Sequence, residues 1–321
     1  DAAEVALAIG LAPAPRAAAG AAQSTARAVL RIQDGCDEHC TFCITTVARG
    51  ASRSRPPSEL VEEAAALAER HPEIVLTGIH IGGYGADAGS SLGALVSRLV
   101  REVPGARFRL SSLEATEVDD ELLELLWGEP RRLAPHLHAP LQSGSDAVLK
   151  RMGRHWYGAS SYAAAVQRIV GGRGAFGLGA DVIAGFPGET EADHGATLAL
   201  VERLPFTYLH VFPFSLRPGT PAERLAGRVD DQTIARRAAE LRAAGAGKAA
   251  AHRERRDGGE ADVIVVSPAG GADGTREGIT EDYLTVIPAD ASLPRRSRVR
   301  ARLVRDGERL VAHSAEPQAV T

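Results

Sequence analysis

The sequence predicts an α/β protein: a parallel sheet covered by helices, followed by a small antiparallel β-barrel. Three observations carry this prediction. Between Ala28 and Phe214, six apolar strand-like segments alternate with amphipathic helical ones, the pattern of parallel strands joined by helical crossovers. Residues 230–256 then read as one long, Arg-rich helix. Beyond Asp257, short stretches of alternating character lie between Gly and Asp turns, as in a small barrel of antiparallel strands.

In order, "AVLRIQ" reads as a strand and "SELVEEAAALAER" as a helix with Ser58 as its N-cap. "EIVLTG" is a strand, "SLGALVSRLVREV" a helix, "RFRLSS" a strand, "DDELLELLW" a helix and "HLHAPL" a strand. "SSYAAAVQRIVGG" and "EADHGATLALVERL" are helices around the strand "LGADVIAGFPG", and "TYLHVFPF" is the last strand of the series. In the tail, "ADVIVVS", "GITEDYLTVI", "SRVRARLV" and "ERLVAHS" read as four strands. Periodicity alone leaves open whether the parallel sheet curls toward a barrel or is doubly wound. In both cases function belongs at the C-terminal ends of the strands. There the polar and glycine clusters "DGCDEHCTFC", "TGIHIGGYG", "SSLEA", "LQSGS" and "GFPGET" are found.

The division expected is a linker or remnant over residues 1–26, a main domain over 27–256 and a small domain over 257–321, with the boundary at Asp257-Gly258-Gly259. The chain has 321 residues, 44% of them hydrophobic, enough for a sizeable core. No apolar run is long enough to span a bilayer and no signal peptide is evident. The expectation is a soluble, cytoplasmic protein without a membrane or DNA partner. A net charge of −4 argues against a uniformly basic nucleic-acid binder, so any basic surface must be local.

All three cysteines, Cys36, Cys40 and Cys43, lie in one loop after the first strand, spaced C-x3-C-x2-C. An odd, clustered set is not a disulfide framework. Three readings compete: incidental packed thiols, a zinc site with His39 as fourth ligand, and a [4Fe–4S] cluster held by three thiolates with one iron open. His39 is adjacent to Cys40, an awkward geometry for one tetrahedron.

This loop, with Phe42 before the last cysteine, resembles that of the radical S-adenosylmethionine (SAM) superfamily. "IQDGC", "ARG-x-x-RSR", "VLTGIHIGGYG", "RLSSLEA", "HLHAPLQSGSDAVLKRM", "DVIAGFPGETEAD" and "VFPFSLRPGTPA" are similar to the methylthiotransferases of that superfamily. Thr77–His80 and His136–His138 are nearest to the branch acting on N6-threonylcarbamoyladenosine in tRNA. The resemblance runs from about Val29 to the end. It implies a partial (β/α)6 barrel and, in "GITEDYLTV", a TRAM-like RNA-binding barrel. It implies a transferase that methylthiolates C2 of the modified adenosine at position 37, beside the anticodon. Its cofactors would be SAM and one [4Fe–4S] cluster on Cys36, Cys40 and Cys43, with no catalytic residue assigned beyond the cluster. Its partners would be the tRNA anticodon stem-loop and an electron donor such as flavodoxin or ferredoxin. The sequence departs from the family at Thr46-Val47, where Pro-Tyr is usual. It also has no cysteine before Cys36, whereas family members carry an N-terminal domain with a second cluster for sulfur delivery. The alternatives are a truncated tRNA-binding homologue that retains the cluster but performs no thiolation, a methylthiotransferase acting on isopentenyladenosine, and a zinc-stabilised RNA-binding protein.

Candidate SAM contacts are Phe42, Gly78, Ser112, Glu114, Gln142, Asp181, Ile183 and Gly185, all at or after strand ends. Glycines there allow close backbone approach, and polar side chains suit ribose and amino-acid groups. Ser112 and Glu114 also suit capping of the helix that follows. His136, His138 and His210 fall on strands and are expected to be core or rim residues. Arg49, Arg53 and Arg55 follow the cysteine loop, and Arg295, Arg298, Arg300 and Arg302 crowd one tail segment. Alternation along a strand gathers the last three on one face, which suits phosphates.

Overall fold

The structure, a computed structural model, describes residues 23–171, 174–267 and 276–314. Most of the expected linker, residues 1–22, lies outside these. Its described end is tied down. The Gln23 side-chain amide pairs with both backbone groups of Val29 at 2.8 Å. Arg295 donates to the Ser24 carbonyl at 2.7 Å and Arg296 to the Gln23 carbonyl at 2.9 Å.

The first half of the fold runs β1 (Ala28–Arg31), β2 (Gln33–Asp34), α1 (Thr45–Arg49), β3 (Arg53–Ser54), α2 (Pro57–Ala68), β4 (Glu73–Thr77), α3 (Leu92–Glu102), β5 (Arg107–Leu110) and α4 (Asp120–Gly128). The second half runs β6 (His136–His138), α5 (Asp146–Arg151), α6 (Ala159–Val170), β7 (Gly177–Ala184), α7 (Glu191–Arg203) and β8 (Tyr208–Pro213). Strands β1, β4 and β5 pair in parallel, as do β6, β7 and β8. Parallel bridges Phe108↔Leu133 and Ser112↔His138 join the two sheets. The six strands therefore follow one another in sequence order, without the reversal that marks a doubly wound sheet. β8 and β1 are not paired with each other, so the sheet is a partial barrel with one open side.

Helical spacing puts apolar stripes on this sheet: Leu60, Ala64 and Leu67 of α2, and Leu92, Leu95, Val96 and Leu99 of α3. Ser58 is not a cap. α2 begins at Pro57, whose missing N–H is one the first turn leaves unpaired in any case. Asp119, not Ser112 or Glu114, caps α4 by accepting from the Leu122 N–H at 2.8 Å.

α8 (Asp231–Arg256) crosses to the C-terminal barrel, formed by β9 (Glu260–Val265), β10 (Gly278–Ile279), β11 (Thr285–Pro288), β12 (Arg298–Asp306) and β13 (Arg309–Ser314) in the closed order β10-β11-β13-β12-β9. "GITEDYLTVI", expected as one strand, is instead a hairpin in which Gly278 faces Val286. The turn contains Tyr283 at φ +71°, a left-handed conformation costly for a bulky residue. The barrel has its own apolar core around Val263, Val286, Leu303 and Leu310.

The turn docks at the N-terminal ends of β4 and β5 on a buried charge network. Glu73 is fully buried and accepts from Arg107 Nε at 2.7 Å and from Arg109 Nε at 3.0 Å. The same arginines reach across the joint: Arg107 to the Asp262 carbonyl at 2.8 Å, and Arg109 to the Glu281 and Thr280 carbonyls, each at 3.0 Å. His252 of α8 holds Asp282 at 2.9 Å. A β-carbon on Gly177 would stand 2.1 Å from the Asp282 carbonyl oxygen, so only glycine admits the turn there. The Tyr283 ring then stacks 4.6 Å from His136 and lies 5.2 Å from the Arg109 guanidinium.

Burial would push the Glu73 carboxyl up, but Arg109 and Arg107 overcome that and hold it well below the usual range. Its folded pKa is depressed, so its stabilisation is present above the ordinary glutamate pKa of about 4.3 and is lost as the pH falls below it. Glu73→Ala is expected to cost about 3–5 kcal/mol in denaturant unfolding at neutral pH, because it strands two buried guanidinium groups. Arg98→Ala, which breaks an exposed pair with Glu102, is expected to cost less than about 1 kcal/mol. The stability difference between wild type and Glu73→Gln is expected to narrow as the pH falls below about 4. Equal stability of wild type and Glu73→Ala at pH 7 would refute the role given to the network.

Candidate active site

The cysteine loop leaves β2 at Gly35, which has φ +77° and whose β-carbon would meet the Ala51 carbonyl oxygen at 2.0 Å. The loop's next anchor is the Cys36 N–H, which donates to the Gly50 carbonyl at 3.1 Å. Thr41 ties the far side of the loop. Its N–H donates to the Met152 carbonyl at 2.8 Å, its hydroxyl to the Arg151 carbonyl at 2.9 Å, and its own carbonyl accepts from the Ala222 N–H at 2.8 Å. Gly153 allows this approach, since a β-carbon there would lie 2.8 Å from the His39 carbonyl oxygen.

The three thiols are half-buried and free of disulfides. Donors point at each sulfur at 3.4 Å: the Glu38 N–H at Cys36, the Thr45 N–H at Cys43 and Arg154 Nη1 at Cys40. This suits thiolate ligands. Burial nevertheless pushes the Cys40 thiol up to about 11, against the pull of Arg154. Holding that sulfur as a thiolate at neutral pH calls for a further positive charge, of the kind a bound metal centre would add. The three sulfurs do not all lie within 4.8 Å of one another. One tetrahedral zinc with bonds of about 2.3 Å would draw its thiolates to within about 4 Å. His39 is exposed and joins no metal-ligating group among the described residues. The wider spacing fits a multi-iron cluster better than a zinc ion.

Gln33, not singled out from the sequence, clamps this loop to the one after β4. It is fully buried. Its amide donates to the Gly35 carbonyl at 2.7 Å and to Ser52 Oγ at 2.8 Å, and its carbonyl accepts from the Ile79 and His80 N–H groups at 3.1 and 2.9 Å. Gly78 sits against it, and a β-carbon there would fall 2.8 Å from Gln33 Oε1. His80 binds Glu117 at 2.6 Å. Contact with Cys36, then with Glu117, pushes its imidazole up to about 10.

The candidate cofactor residues fall into two sets. Ser112 is exposed beside the bridge to His138. Gln142 has φ +64°, donates its N–H to the Asp181 carbonyl at 2.8 Å and accepts from the Ile183 N–H at 2.9 Å. Gly185 has φ +79° and, with Phe186, donates to the buried Glu189 carboxylate, a second residue not foreseen. Gly185, Pro187, Phe214 and Ile234 line a cavity of about 270 Å³ at the C-terminal ends of β7 and β8. Phe42 packs edge-on to Phe186 at 6.3 Å. Glu114 and Asp181, by contrast, have partners already. Glu114 is buried with Arg154 and Trp156, and burial raises its pKa. Asp181 accepts from His138 Nε2 at 2.9 Å and His210 Nδ1 at 3.2 Å.

The arginines divide likewise. Arg55 is held by Glu63 at 2.8 Å, and Arg298 grips Asp262 at 2.9 and 3.0 Å. Arg295 donates to the Val266 carbonyl at 3.0 Å as well as to Ser24. Arg49, Arg53, Arg300 and Arg302 are exposed, with Arg300 paired to the exposed Glu260. Arg300 and Arg302 alternate with buried Ala301 and Leu303 on β12, as the pattern predicts.

The family model "Radical SAM superfamily" matches residues 30–201. The chain is 44% identical over 215 residues to the threonylcarbamoyladenosine tRNA methylthiotransferase MtaB of Thermotoga maritima, covering 66% of this chain and 49% of that one. The Bacillus subtilis protein of the same name is 44% identical over 64% of this chain and 46% of its own. A tRNA-2-methylthio-N(6)-dimethylallyladenosine synthase of Cereibacter sphaeroides is 41% identical over 65% of this chain and 48% of its own. The chain spans about half the length of these curated relatives. Among solved structures, the radical S-adenosylmethionine methyltransferase TsrM from Kitasatospora setae superposes with a TM-score of 0.53 at 17% identity, over 62% of this chain and 38% of that one. Coproporphyrinogen III oxidase from Escherichia coli gives 0.51 at 17% identity, over 70% and 53%. Both show likeness of fold. With six parallel strands in sequence order, a three-cysteine loop after the first of them and a family match over more than half its length, the chain belongs to the radical SAM superfamily.

Proposed function

We propose that this chain is the radical SAM and RNA-binding part of a tRNA methylthiotransferase that acts at C2 of N6-threonylcarbamoyladenosine at position 37. The observation that carries the proposal is the cysteine loop held over the C-terminal strand ends by Gln33 and Thr41, in a chain 44% identical to proteins named for that reaction. The isopentenyl-type relatives, at 41%, make the neighbouring branch the second reading.

Cys36, Cys40 and Cys43 would hold a [4Fe–4S] cluster. When bound, it would supply an open coordination site for SAM and one electron for its reductive cleavage. The chain's own groups position and exclude. Gly78 leaves room behind the cysteine loop. Gln142, Ile183 and Gly185 present backbone at the ends of β6 and β7, Ser112 offers an exposed hydroxyl, and Phe42 with Phe186 forms an apolar wall. Arg154 links Cys40 to Glu114 and, at 2.8 Å, to the Tyr157 hydroxyl, so Glu114 acts by positioning Arg154. The division proposed is 27–256 and 257–321, which agrees with two separate apolar cores and with a helix that ends at Arg256. The second part is proposed as a TRAM-like module for the anticodon stem-loop, through Arg300 and Arg302, with Arg49 and Arg53 beside the active site. A flavodoxin or ferredoxin would supply electrons, and a second cluster on a further domain would serve sulfur delivery. No helix among the described residues is long and apolar enough to cross a membrane; the cytoplasmic site of action is proposed from the tRNA reading alone.

Anaerobic reconstitution is expected to load about four irons and four sulfides per chain. Cys36→Ala, Cys40→Ala and Cys43→Ala are each expected to lose most of that iron. Stoichiometric zinc without iron, measured by plasma mass spectrometry, would refute the cluster assignment. Anticodon stem-loop affinity is expected to fall steeply with salt, and Arg300→Ala with Arg302→Ala to reduce the log–log slope by about 2. A slope unchanged by both substitutions would remove β12 from the RNA surface.

A further inference from the structure

His138, Asp181 and His210 stand side by side on β6, β7 and β8, where register places Asp181 opposite His210. One carboxylate oxygen, Asp181 Oδ1, takes both imidazoles, from His138 Nε2 at 2.9 Å and His210 Nδ1 at 3.2 Å. Tyr208 closes the chain from below, its hydroxyl 3.1 Å from His138 Nδ1 and 2.9 Å from His136 Nε2. The protons of such a chain can run consistently from His136 through Tyr208 and His138 to Asp181. Both imidazoles thus hold Asp181 without an ion, although the three ligand atoms lie within 4.8 Å of one another; at the buried end His136 Nδ1 has no partner among the described residues.

At the exposed end of the network one nitrogen is free. His210 Nε2 has no protein partner among the described residues, and its side chain is 55% exposed. Two residues on along the same strand face is Phe212, 49% exposed, its ring 6.5 Å from the His210 ring and nearly perpendicular to it. Both stand on β8, the strand that borders the open side of the partial barrel. A bare aromatic ring beside an oriented imidazole is a combination that takes a flat base on the ring and a polar substituent on the nitrogen.

We propose that Asp181, His210 and Phe212 form the substrate-base pocket, and that they select an adenine whose N6 substituent carries a carboxylate over one whose substituent is apolar. This rests on the tRNA reading above. His210 turns Nδ1 to Asp181 and presents Nε2 to the substrate carboxylate, while Asp181 fixes the ring's direction. Phe212 takes the base face. An isopentenyl group in the same place would strip water from the His210–Asp181 pair and return no hydrogen bond. A site built around a polar group rejects an analogue that lacks the partner. His210 and Asp181 are thus specificity and positioning residues, and the Asp181 carboxylate serves the substrate side instead of SAM.

The test uses the whole chain and three anticodon stem-loop RNAs that differ only at position 37: threonylcarbamoyladenosine, isopentenyladenosine and adenosine. Binding is read by fluorescence anisotropy. The threonylcarbamoyl RNA is expected to bind roughly tenfold or more tighter than the isopentenyl RNA, the size of one charge-assisted hydrogen bond. His210→Leu is expected to bring that ratio close to one, chiefly by weakening the threonylcarbamoyl RNA. Phe212→Ala is expected to weaken all three alike. Circular dichroism and melting temperature check that His210→Leu stays folded, as its exposure implies. A ratio that survives His210→Leu overturns the inference, as does a wild-type chain that binds both modified RNAs equally. A ratio that collapses on addition of a chelator also overturns it, because it would make the three side chains metal ligands. If none of the RNAs binds, the tRNA reading itself fails, and the inference with it.

Discussion

A single buried carboxylate, Glu73, governs how this molecule is put together. It sits at the start of β4, between Arg107 and Arg109 at the start of β5, with no access to water. The two guanidinium groups satisfy it, and Arg107 Nη1 with Arg109 Nη1 and Nη2 reach on to the carbonyls of Asp262, Glu281 and Thr280 in the C-terminal barrel. Ion pairs of this kind gain little net energy over well-packed apolar residues, because desolvation offsets the attraction, but their geometry is exacting. Here they fix the small barrel against the N-terminal ends of the strands. Tyr283, held in a strained conformation, fills the floor against His136 and Tyr208. What remains accessible is the opposite end of the strands and the open side along β8.

At that opposite end the sequence concentrates its reactive groups. The cysteine loop is a long excursion between β2 and α1, yet it is braced from three directions: Gln33 from β2, Thr41 against the end of α5, and Gly50 across from Cys36. This bracing explains the role of Gly35 and Gly153, where any side chain would strike a backbone carbonyl. It also links the loop after β4, at Gly78 and His80, to the cysteines through one buried amide. The residues proposed for cofactor and for substrate then occupy successive levels of the same strands. Gln142, Ile183 and Gly185 lie at the rim, with Asp181 and His210 one level deeper.

The parts of this design visible in the sequence are those written in local pattern. Six strand–helix alternations and a three-cysteine cluster are local, and the parallel order and the loop follow from them. The Arg300/Arg302 face was legible because β12 alternates cleanly against Ala301 and Leu303. Features that depend on distant partners were not. Arg298 continues the same alternation but is drawn off by Asp262. "GITEDYLTVI" has the composition of one strand and is broken by a turn whose stability comes from Arg109, His252 and Gly177. Ser58 has the chemistry of a cap, but the preceding Pro57 already starts the helix. The His138–Asp181–His210 group requires three strands to be neighbours in register, and no single segment signals it.

The most direct measurement is hydrogen transfer from the substrate itself. The reconstituted chain, given SAM and dithionite, is incubated with an anticodon stem-loop in which the threonylcarbamoyladenosine carries deuterium at C2, and the 5′-deoxyadenosine formed is analysed by mass spectrometry. Deuterium in the 5′-deoxyadenosine establishes that the cluster, the cofactor and the base meet as proposed, whatever the source of the sulfur. SAM cleavage that yields only unlabelled 5′-deoxyadenosine, or no cleavage by a fully loaded cluster, contradicts the assignment of this adenosine position as the substrate of the site.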